Sequence, residues 1–575
     1  MSTAMKSRAR SVPMVYAVVT VALLLAVVGL ALSSPPPRTP PLAAVAPQVD
    51  EQVDVERVEQ SSQFGEGTGG EGDCAPGDEG CAATGAALED TAQGQPTPRA
   101  TSAPAAFWPC VVGPGGARQT EDPQSPPCKG ARFTGDNGGA TWQGVTADTI
   151  RLGYIDDPAD HGGQVSGRYH HVLAPLIDHV NRRYELYGRR LVLVDVPATG
   201  SVSDPAVNRA DARAAAQADV FAVIAYERFG AFQRTLAAEG VVSLIGGDVG
   251  AVSEAALTAM HPHAWAVYPS IEQAAEITGK LVCGALNGKP ARHGGADVSG
   301  RVRHFGVVVE DGWDARPLEA RLAACGAPVA VYQASGDFEL LLRQMRDQGV
   351  TTAVCLCRNF DKRYPEAAEA LGYQPEWLLP GIDEKAAYLR YTSTATSDNQ
   401  PRAQLAHTFG ISTRLRRPPP NSVSGTDQAD QQYWFHAARE SDPGFTYGVG
   451  AQGSVSATFG YDLYAQLLTL ASGIQWAGPN LTPETFGDAL AGLRYPNPGV
   501  GRSPWWQPSV GFGVADHSFN SDAALIWWRD PSDAGYESRT DFGELCYVGG
   551  GHRFTAATMP TSADDLLFDP EAGCR

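Results

Sequence analysis

The sequence predicts an α/β protein: two consecutive doubly wound parallel sheets, preceded by one transmembrane helix and a disordered linker. Three observations carry this expectation. Short, continuously apolar runs recur from residue 150 onward, the pattern of strands buried on both faces of a parallel sheet. Each run opens into a polar loop and then an amphipathic helical segment, which is the βαβ order. The series reaches a first end near residue 268 and begins again at Ser270, so one sheet follows another.

The chain has 575 residues and a formal net charge of −20. An acidic surface of that kind repels nucleic acid and anionic lipid, which excludes both as expected partners. Only six of its 44 basic residues are lysine, the coding bias of a GC-rich bacterial genome. Residues 1–33 read as a cytoplasmic tip and a transmembrane anchor. Lys6, Arg8 and Arg10 precede an uncharged apolar run, Met14–Leu32, which as a helix would span roughly 28 Å. The basic residues place the N-terminus inside and the bulk of the chain outside, as a single-pass cell-membrane protein. A cleaved signal peptide is the rival reading, with Leu30-Ala31-Leu32-Ser33 as a passable cleavage site.

Residues 34–107 read as a disordered acidic linker. They start with PPPRTPP, continue through GEGTGGEGDCAPGDEG and carry too little apolar content for a core. As a flexible coil the segment reaches on the order of 50 Å. Ten cysteines in an extracytoplasmic chain are expected to be bridged. Proximity suggests Cys74–Cys81, Cys110–Cys128, Cys283–Cys325 and Cys546–Cys574. Cys355 and Cys357 share one strand and one face, and a lone CxC does not make a zinc site.

Residues 108–575 read as one two-lobed domain. The expected strands of the first sheet are IRLGYI, RLVLVDV, VFAVIAY and VVSLIGG. Helical segments SGRYHHVLAPLIDHVNRRYE, DPAVNRADARAAAQA and FGAFQRTLAAEG lie between them. The second series runs from helix IEQAAEITGKLVCGALNG through strands VRHFGVVVE, PVAVYQ, TTAVCLC and EWLLPGI. No third series follows. The later helices YDLYAQLLTLASGIQWAG and NLTPETFGDALAGL are expected to return and cover the first lobe, and DAALIWWRD is the last strand signal.

The opening GVTADTIRLGYI, the strand TTAVCLCRNF followed by LGYQPEWLLPGI, and the late FGYDLYAQLL together resemble the type I periplasmic solute-binding proteins of the leucine/isoleucine/valine-binding group, which feed ABC importers. The resemblance spans about residues 144–530. It implies two Rossmann-like lobes joined by crossover strands at a hinge. Lobe one would take about 144–268 and 396–505, and lobe two about 269–395 and 506–575.

In open α/β sheets ligands bind beyond the carboxyl ends of the strands. That makes the strand-end loops the candidate ligand site: Asp157 and His161, then Tyr226, Glu227 and Arg228, then Gly247 and Asp248 in lobe one. In lobe two they are Glu310 and Trp313, Asn359 and Phe360, and Asp383. The resemblance implies a carboxylate-gripping hydroxyl cluster in lobe one, with Trp313 as a lid and Asp383 as an ammonium acceptor. The loop here reads AYERFGAF and lacks that cluster. Tyr226, Glu227 and Arg228 would suit a different polar or cyclic molecule, or no ligand. Plainer roles compete: Asp157, Asp248 and Asp383 as helix N-caps, Glu227–Arg228 as a solvated pair, and Trp313 as packing.

No catalytic signature is present. GVGAQG at 448–453 matches GxGxxG but follows no clear strand, and GxSxG, HExxH and GxxxxGK[ST] are missing from the sequence. His170 and His171 are helix neighbours and do not share a face. No metal and no cofactor is expected. The sequence therefore reads as a non-enzymatic extracytoplasmic binding protein. It would take a small polar solute, amino-acid-like or other, for ABC import or sensing, with a permease or membrane receptor as partner. The alternative is a surface interaction or sensory protein whose fold no longer holds a transported ligand. An enzyme on this scaffold is the third reading.

Overall fold

Inner strands buried at every residue need apolar cover on both faces of their sheet, and the computed structural model provides it in two sheets. The chain divides into two units, Met1–Pro96 and Thr97–Arg575. The structure describes residues 111–113, 116–119, 125–126, 129, 132–156, 170–202, 204–225, 228, 230–246, 252–310, 313–334, 336–357, 363–381, 402–413, 433–445, 451–495, 510–518, 520–529 and 544–569. All belong to the second unit. The linker expected at 34–107 lies outside them.

A short hairpin, β1 (Val111–Gly113) and β2 (Gly116–Arg118), precedes lobe one. The lobe then runs β3 (Thr149–Asp156), α1 (His170–Arg183), β4 (Arg190–Pro197), α2 (Pro205–Gln217), β5 (Ala222–Ala225), α3 (Ala231–Ala238), β6 (Val242–Ile245), α4 (Glu254–Ala259) and β7 (Ala264–Ala266). Its five strands are parallel, in the order β4-β3-β5-β6-β7. Successive side chains point to opposite faces. Leu152, Tyr154, Ala222 and Ile224 therefore enter one core with Val172, Leu173 and Leu176 of α1. Ile155, Val223 and Ala225 enter the other with Ala212 and Ala215 of α2 and Phe232 and Leu236 of α3.

Lobe two repeats the plan. It runs α5 (Ile271–Leu281), β8 (Phe305–Val309), α6 (Arg316–Ala324), β9 (Val329–Gln333), α7 (Phe338–Asp347), β10 (Thr352–Leu356), α8 (Arg363–Ala370), β11 (Glu376–Pro380), α9 (Arg402–Leu405) and β12 (Thr408–Ser412). Ser270 caps α5 through a capping box with Gln273, and the last turn of that helix widens into a π turn at Val282–Leu286.

The chain then returns to lobe one as α10 (Tyr433–Ser441), α11 (Ala451–Ala477) and α12 (Pro483–Gly492). Residues 462–475 of α11 are buried throughout and pack into the α1 side of the first core. Gly473 allows α12 to sit close, since a Cβ there would lie 2.2 Å from the Phe486 ring. A small hairpin, β13 (Arg494–Tyr495) and β14 (Val510–Gly511), precedes the last passage into lobe two. There β15 (Asp522–Arg529), β16 (Glu544–Tyr547), β17 (Arg553–Thr555) and α13 (Ala563–Leu566) finish the fold. The second sheet reads β16-β15-β12-β11-β10-β8-β9, with β15 antiparallel to β12 and to β16 and β17. Cys283 is bridged to Cys325 and Cys355 to Cys357, and Cys546 is also disulfide-bonded. Cys74, Cys81, Cys110, Cys128 and Cys574 lie outside the described residues.

The expected transmembrane helix is corrected. Among the described residues no helix is long and apolar enough to cross a membrane. The longest, α11, spends its apolar surface inside lobe one and carries Asp462, Gln466 and Gln475 among its buried residues. The run Met14–Leu32 lies outside the described residues. The described fold, two α/β lobes, contains no membrane-crossing helix. Single-pass localisation and partnership through an N-terminal membrane helix are withdrawn with it.

Buried ion pairs fix the ends of the sheets opposite the candidate loops. Arg303, fully buried before β8, donates to Glu376 through Nε (2.8 Å) and Nη2 (2.9 Å) and to Asp564 of α13 through Nη2 (2.8 Å). Thr352 and the backbone of His293 also donate to Glu376. Burial alone would raise the Asp564 carboxyl, but the His293 and Arg303 contacts hold it well below the usual carboxylate range. Replacing one partner strands the other charges in the core. Arg303→Ala is expected to cost about 3–5 kcal/mol, read as a lower urea midpoint. An unchanged midpoint rejects this account.

Lobe one holds α10 to α1 in a similar way. His179 Nδ1 lies 2.7 Å from Glu440, and Arg183 Nε donates to the same carboxylate at 2.6 Å. Burial acts to raise Glu440, but these donors hold it at about 2, below its ordinary 4.5. A carboxylate so lowered stabilises the fold fully above its ordinary value and loses that contribution as pH falls toward the lowered one. Stability should therefore drop between about pH 4.5 and 2 more steeply in the wild type than in Glu440→Gln. Denaturation midpoints across that range measure the difference.

Candidate functional site

The strand orders locate the crevice in each lobe. In lobe one the chain leaves β3 for α1 on one face and leaves β5 for α3 on the other. Loops that diverge from adjacent strands open a gap at their carboxyl ends, the topological switch point. Lobe two has the same point between β8 and β10, since α6 packs with Val307 and Val309 and α8 with Val308 and Cys355. Asp157, His161, Tyr226, Glu227 and Arg228 follow the two switch strands of lobe one. Glu310, Trp313, Asn359 and Phe360 follow those of lobe two. Gly247 and Asp248 come after β6, and Asp383 after β11, each one strand further along.

Three of these residues are described. Arg228 is fully buried, and its Nη1 bonds Asp211 Oδ2 at 2.8 Å and Asn208 Oδ1 at 3.1 Å, both on α2. Its guanidinium also lies 5.8 Å from the Phe232 ring centroid. Asp211 accepts in addition from the backbone N–H and hydroxyl of Thr199, at 3.0 and 2.6 Å. One buried carboxylate thus ties the loop after β4 to the loop after β5. The solvated Glu227–Arg228 pair considered from sequence does not describe Arg228.

Glu310 and Trp313 form one turn at the end of β8. The Glu310 N–H donates to Leu356 O at 3.0 Å, extending the β8–β10 ladder, and the Trp313 N–H donates to Glu310 O at 3.2 Å. The Tyr364 hydroxyl of α8 reaches Glu310 Oε1 at 3.4 Å. Burial, and then the Glu310 charge, push that phenol up, so it keeps its proton and donates. Trp313 is half-buried against the α6 side of the core. Asp157, His161, Tyr226, Glu227, Gly247, Asp248, Asn359, Phe360 and Asp383 lie outside the described residues.

Sequence reasoning missed Asp211, Tyr364 and a polar row on α11. On α11, Asp462 accepts from the Tyr268 hydroxyl, and Gln466 Nε2 donates to Leu244 O at 2.8 Å, beside Gly246 at the end of β6. Their spacing of four, with Thr469 three further on, was a visible signal: polar residues on one face of an otherwise apolar helix. Among the described residues no group of three or more His, Cys, Asp and Glu is placed to hold a metal ion.

Removing the Arg228 side chain would leave Asp211 buried without its counter-charge. Arg228→Ala is expected to destabilise by about 3–5 kcal/mol and to speed amide exchange in residues 198–202. A variant with wild-type stability and exchange would show that the bracket carries no weight.

No family model matches the chain, and no curated protein matches its sequence. Solved structures do match by shape. A substrate-binding protein of an ABC transporter from Aeropyrum pernix is 13% identical with a TM-score of 0.47, covering 73% of this chain and 100% of that one. A fatty acid ABC transporter substrate-binding protein from Thermomonospora curvata is 13% identical, with a TM-score of 0.48 and coverage of 75% and 98%. A solute-binding protein from Rhodopseudomonas palustris BisB5, in complex with 3,4-dihydroxybenzoic acid, is 11% identical, with a TM-score of 0.47 and coverage of 71% and 98%. No binding property passes to this chain at such identities and scores. By shape the chain is similar, at low sequence identity, to substrate- and solute-binding proteins of ABC transporters.

Proposed function

We propose that this protein is a non-catalytic solute-binding protein that captures a small polar molecule between its two lobes and delivers it to an ABC permease or a membrane receptor. The observation that supports the reading is the repeated strand order, with a switch point in each lobe. Ligand contacts made only when the lobes close would shift the population toward the closed form. The bridge between Cys283 and Cys325 supports an oxidising, extracytoplasmic setting.

The engagement of Arg228 with Asp211 favours a second reading. A lobe-one loop whose cation is spent on its own lobe offers less to a ligand, as a sensory or interaction protein without a transported solute would.

A thermal-shift screen of small polar solutes against residues 108–575 separates the two. A ligand that binds only the native state raises the melting temperature, by an amount set by its concentration over Kd. Under the first reading one solute class shifts the wild type, and Trp313→Ala and Asp383→Ala each weaken that shift at least several-fold in apparent Kd. Unchanged affinity in both variants would reject their assignment. A screen without a hit would favour the second reading.

A further inference from the structure

The last segment to cross between the lobes buries an amide that bonds nothing. Asn520 is 1% exposed. Among the described residues neither its Nδ2 nor its Oδ1 has a hydrogen-bond partner. The polar groups around it in the chain are engaged. The His517 N–H donates to Glu254 of α4 at 2.8 Å, and the Ser518 hydroxyl reaches the same carboxylate at 3.5 Å. Asp522 accepts from Arg553 Nε at 2.7 Å, and Arg553 also donates to the Thr413 carbonyl at 2.7 Å. In the first crossing, the Tyr268 hydroxyl is held by Asp462 of α11.

Strand register fixes where Asn520 stands. Ser518 forms a parallel bridge with Ala266, the last residue of β7. Asn520 comes two positions later, so it lies past the carboxyl end of the lobe-one sheet. On the other side β15 runs antiparallel to β12, with Ala524 opposite Ser412, the last residue of β12. Asn520 comes four positions before Ala524, so it also lies past the carboxyl end of the parallel strands of lobe two. One residue thus sits beyond the ligand-binding edge of both sheets.

A buried amide without partners costs free energy, and native proteins seldom keep one unless something bonds it. A primary amide offers an acceptor oxygen and a donor N–H side by side in one plane. A carboxylate would satisfy the N–H and leave the oxygen bare, and an ammonium would do the reverse. A group that meets both in one plane presents the same pair in opposite order, as a carboxamide, lactam or ureide does. The ionic groups next to it, Asp522 and Arg553, neutralise each other and favour neither sign of ligand.

We propose that Asn520 is a ligand contact at the crossover end of the interlobe crevice, where its amide takes a neutral carboxamide or ureide group of the solute. This inference rests on the solute-binding reading above and names the chemistry of that site. A solute group bonded there is enclosed, as those of small-molecule sites are.

The test is thermal denaturation of the full chain as wild type, Asn520→Leu and Asn520→Ala. Each is melted without solute and with millimolar nicotinamide, benzamide, hydantoin, nicotinate, benzoate or L-leucine. Without solute, at least one variant should melt at or above the wild-type temperature, because the substitution removes two buried atoms that bond nothing. Two variants are needed because leucine's methyl groups are bulkier than the amide. Melting below the wild type in both shows that the amide serves the fold and overturns the proposal. With solute, one or more of nicotinamide, benzamide and hydantoin should raise the wild-type melting temperature. Both variants should weaken that shift at least several-fold in apparent Kd. An equal shift in wild type and variants, or one produced only by nicotinate, benzoate or L-leucine, overturns the amide contact and leaves the solute-binding reading in place. No shift with any of the six, and none in the wider screen, rejects the solute-binding reading and this contact with it.

Discussion

Two-sided burial of the parallel strands is the constraint from which the rest of this structure follows. A strand such as Phe305–Val309, buried at every residue, must be covered above and below. In a doubly wound sheet that cover comes from the connections themselves, which are sent to opposite faces. The divergence of α1 from α3, and of α6 from α8, is the same fact seen at the carboxyl ends of the strands. It opens a crevice in each lobe where loops of any composition can be mounted. Fold and candidate site thus have one cause.

Such crevices need fixed walls, and buried charge supplies them. Asp211 joins two loops of lobe one through Thr199 and Arg228. At the opposite end of lobe two, Arg303 gathers Glu376 and Asp564 and so fastens the C-terminal helix under the sheet. Such pairs are weak evidence for net stability, because desolvation offsets much of the attraction. Their value here is positional. An apolar contact would tolerate sliding, whereas a guanidinium holding two carboxylates tolerates little. Arg228 therefore reads better as a positioning residue than as a ligand contact, although its place in the chain suggests either.

Much of the fold was legible because two-sided strands announce themselves as unbroken apolar runs. VFAVIA and TTAVCLC became β5 and β10, and the late helix YDLYAQLLTLASGIQWAG packs on lobe one. What escaped was short or locally ambiguous. Ala264–Ala266 and Thr408–Ser412 became strands β7 and β12 only because a neighbouring strand offers a ladder. AWA has no periodicity of its own, and TFGIS carries a glycine that strand propensity disfavours. Helix α10 was missed as well: YWFHAARES packs through aromatic residues whose pattern alone does not favour helix over strand. At the site, the sequence could number the loops but could not tell an exposed arginine from a buried one. That depends on Asp211, seventeen positions earlier, arriving from α2.

The two lobes are alike in strand order but unequal at the edge where the chain crosses. Lobe two gains β15, β16 and β17 there, while lobe one ends at β7 and is met only by the bridge from Ala266 to Ser518. Both features come from the last crossing. On the lobe-one side that crossing is gripped by Glu254 through His517. On the lobe-two side Arg553 bonds Asp522, where the chain arrives, and the carbonyl of Thr413, where the preceding crossing departs. Only residues 519–521 separate the two anchored stretches.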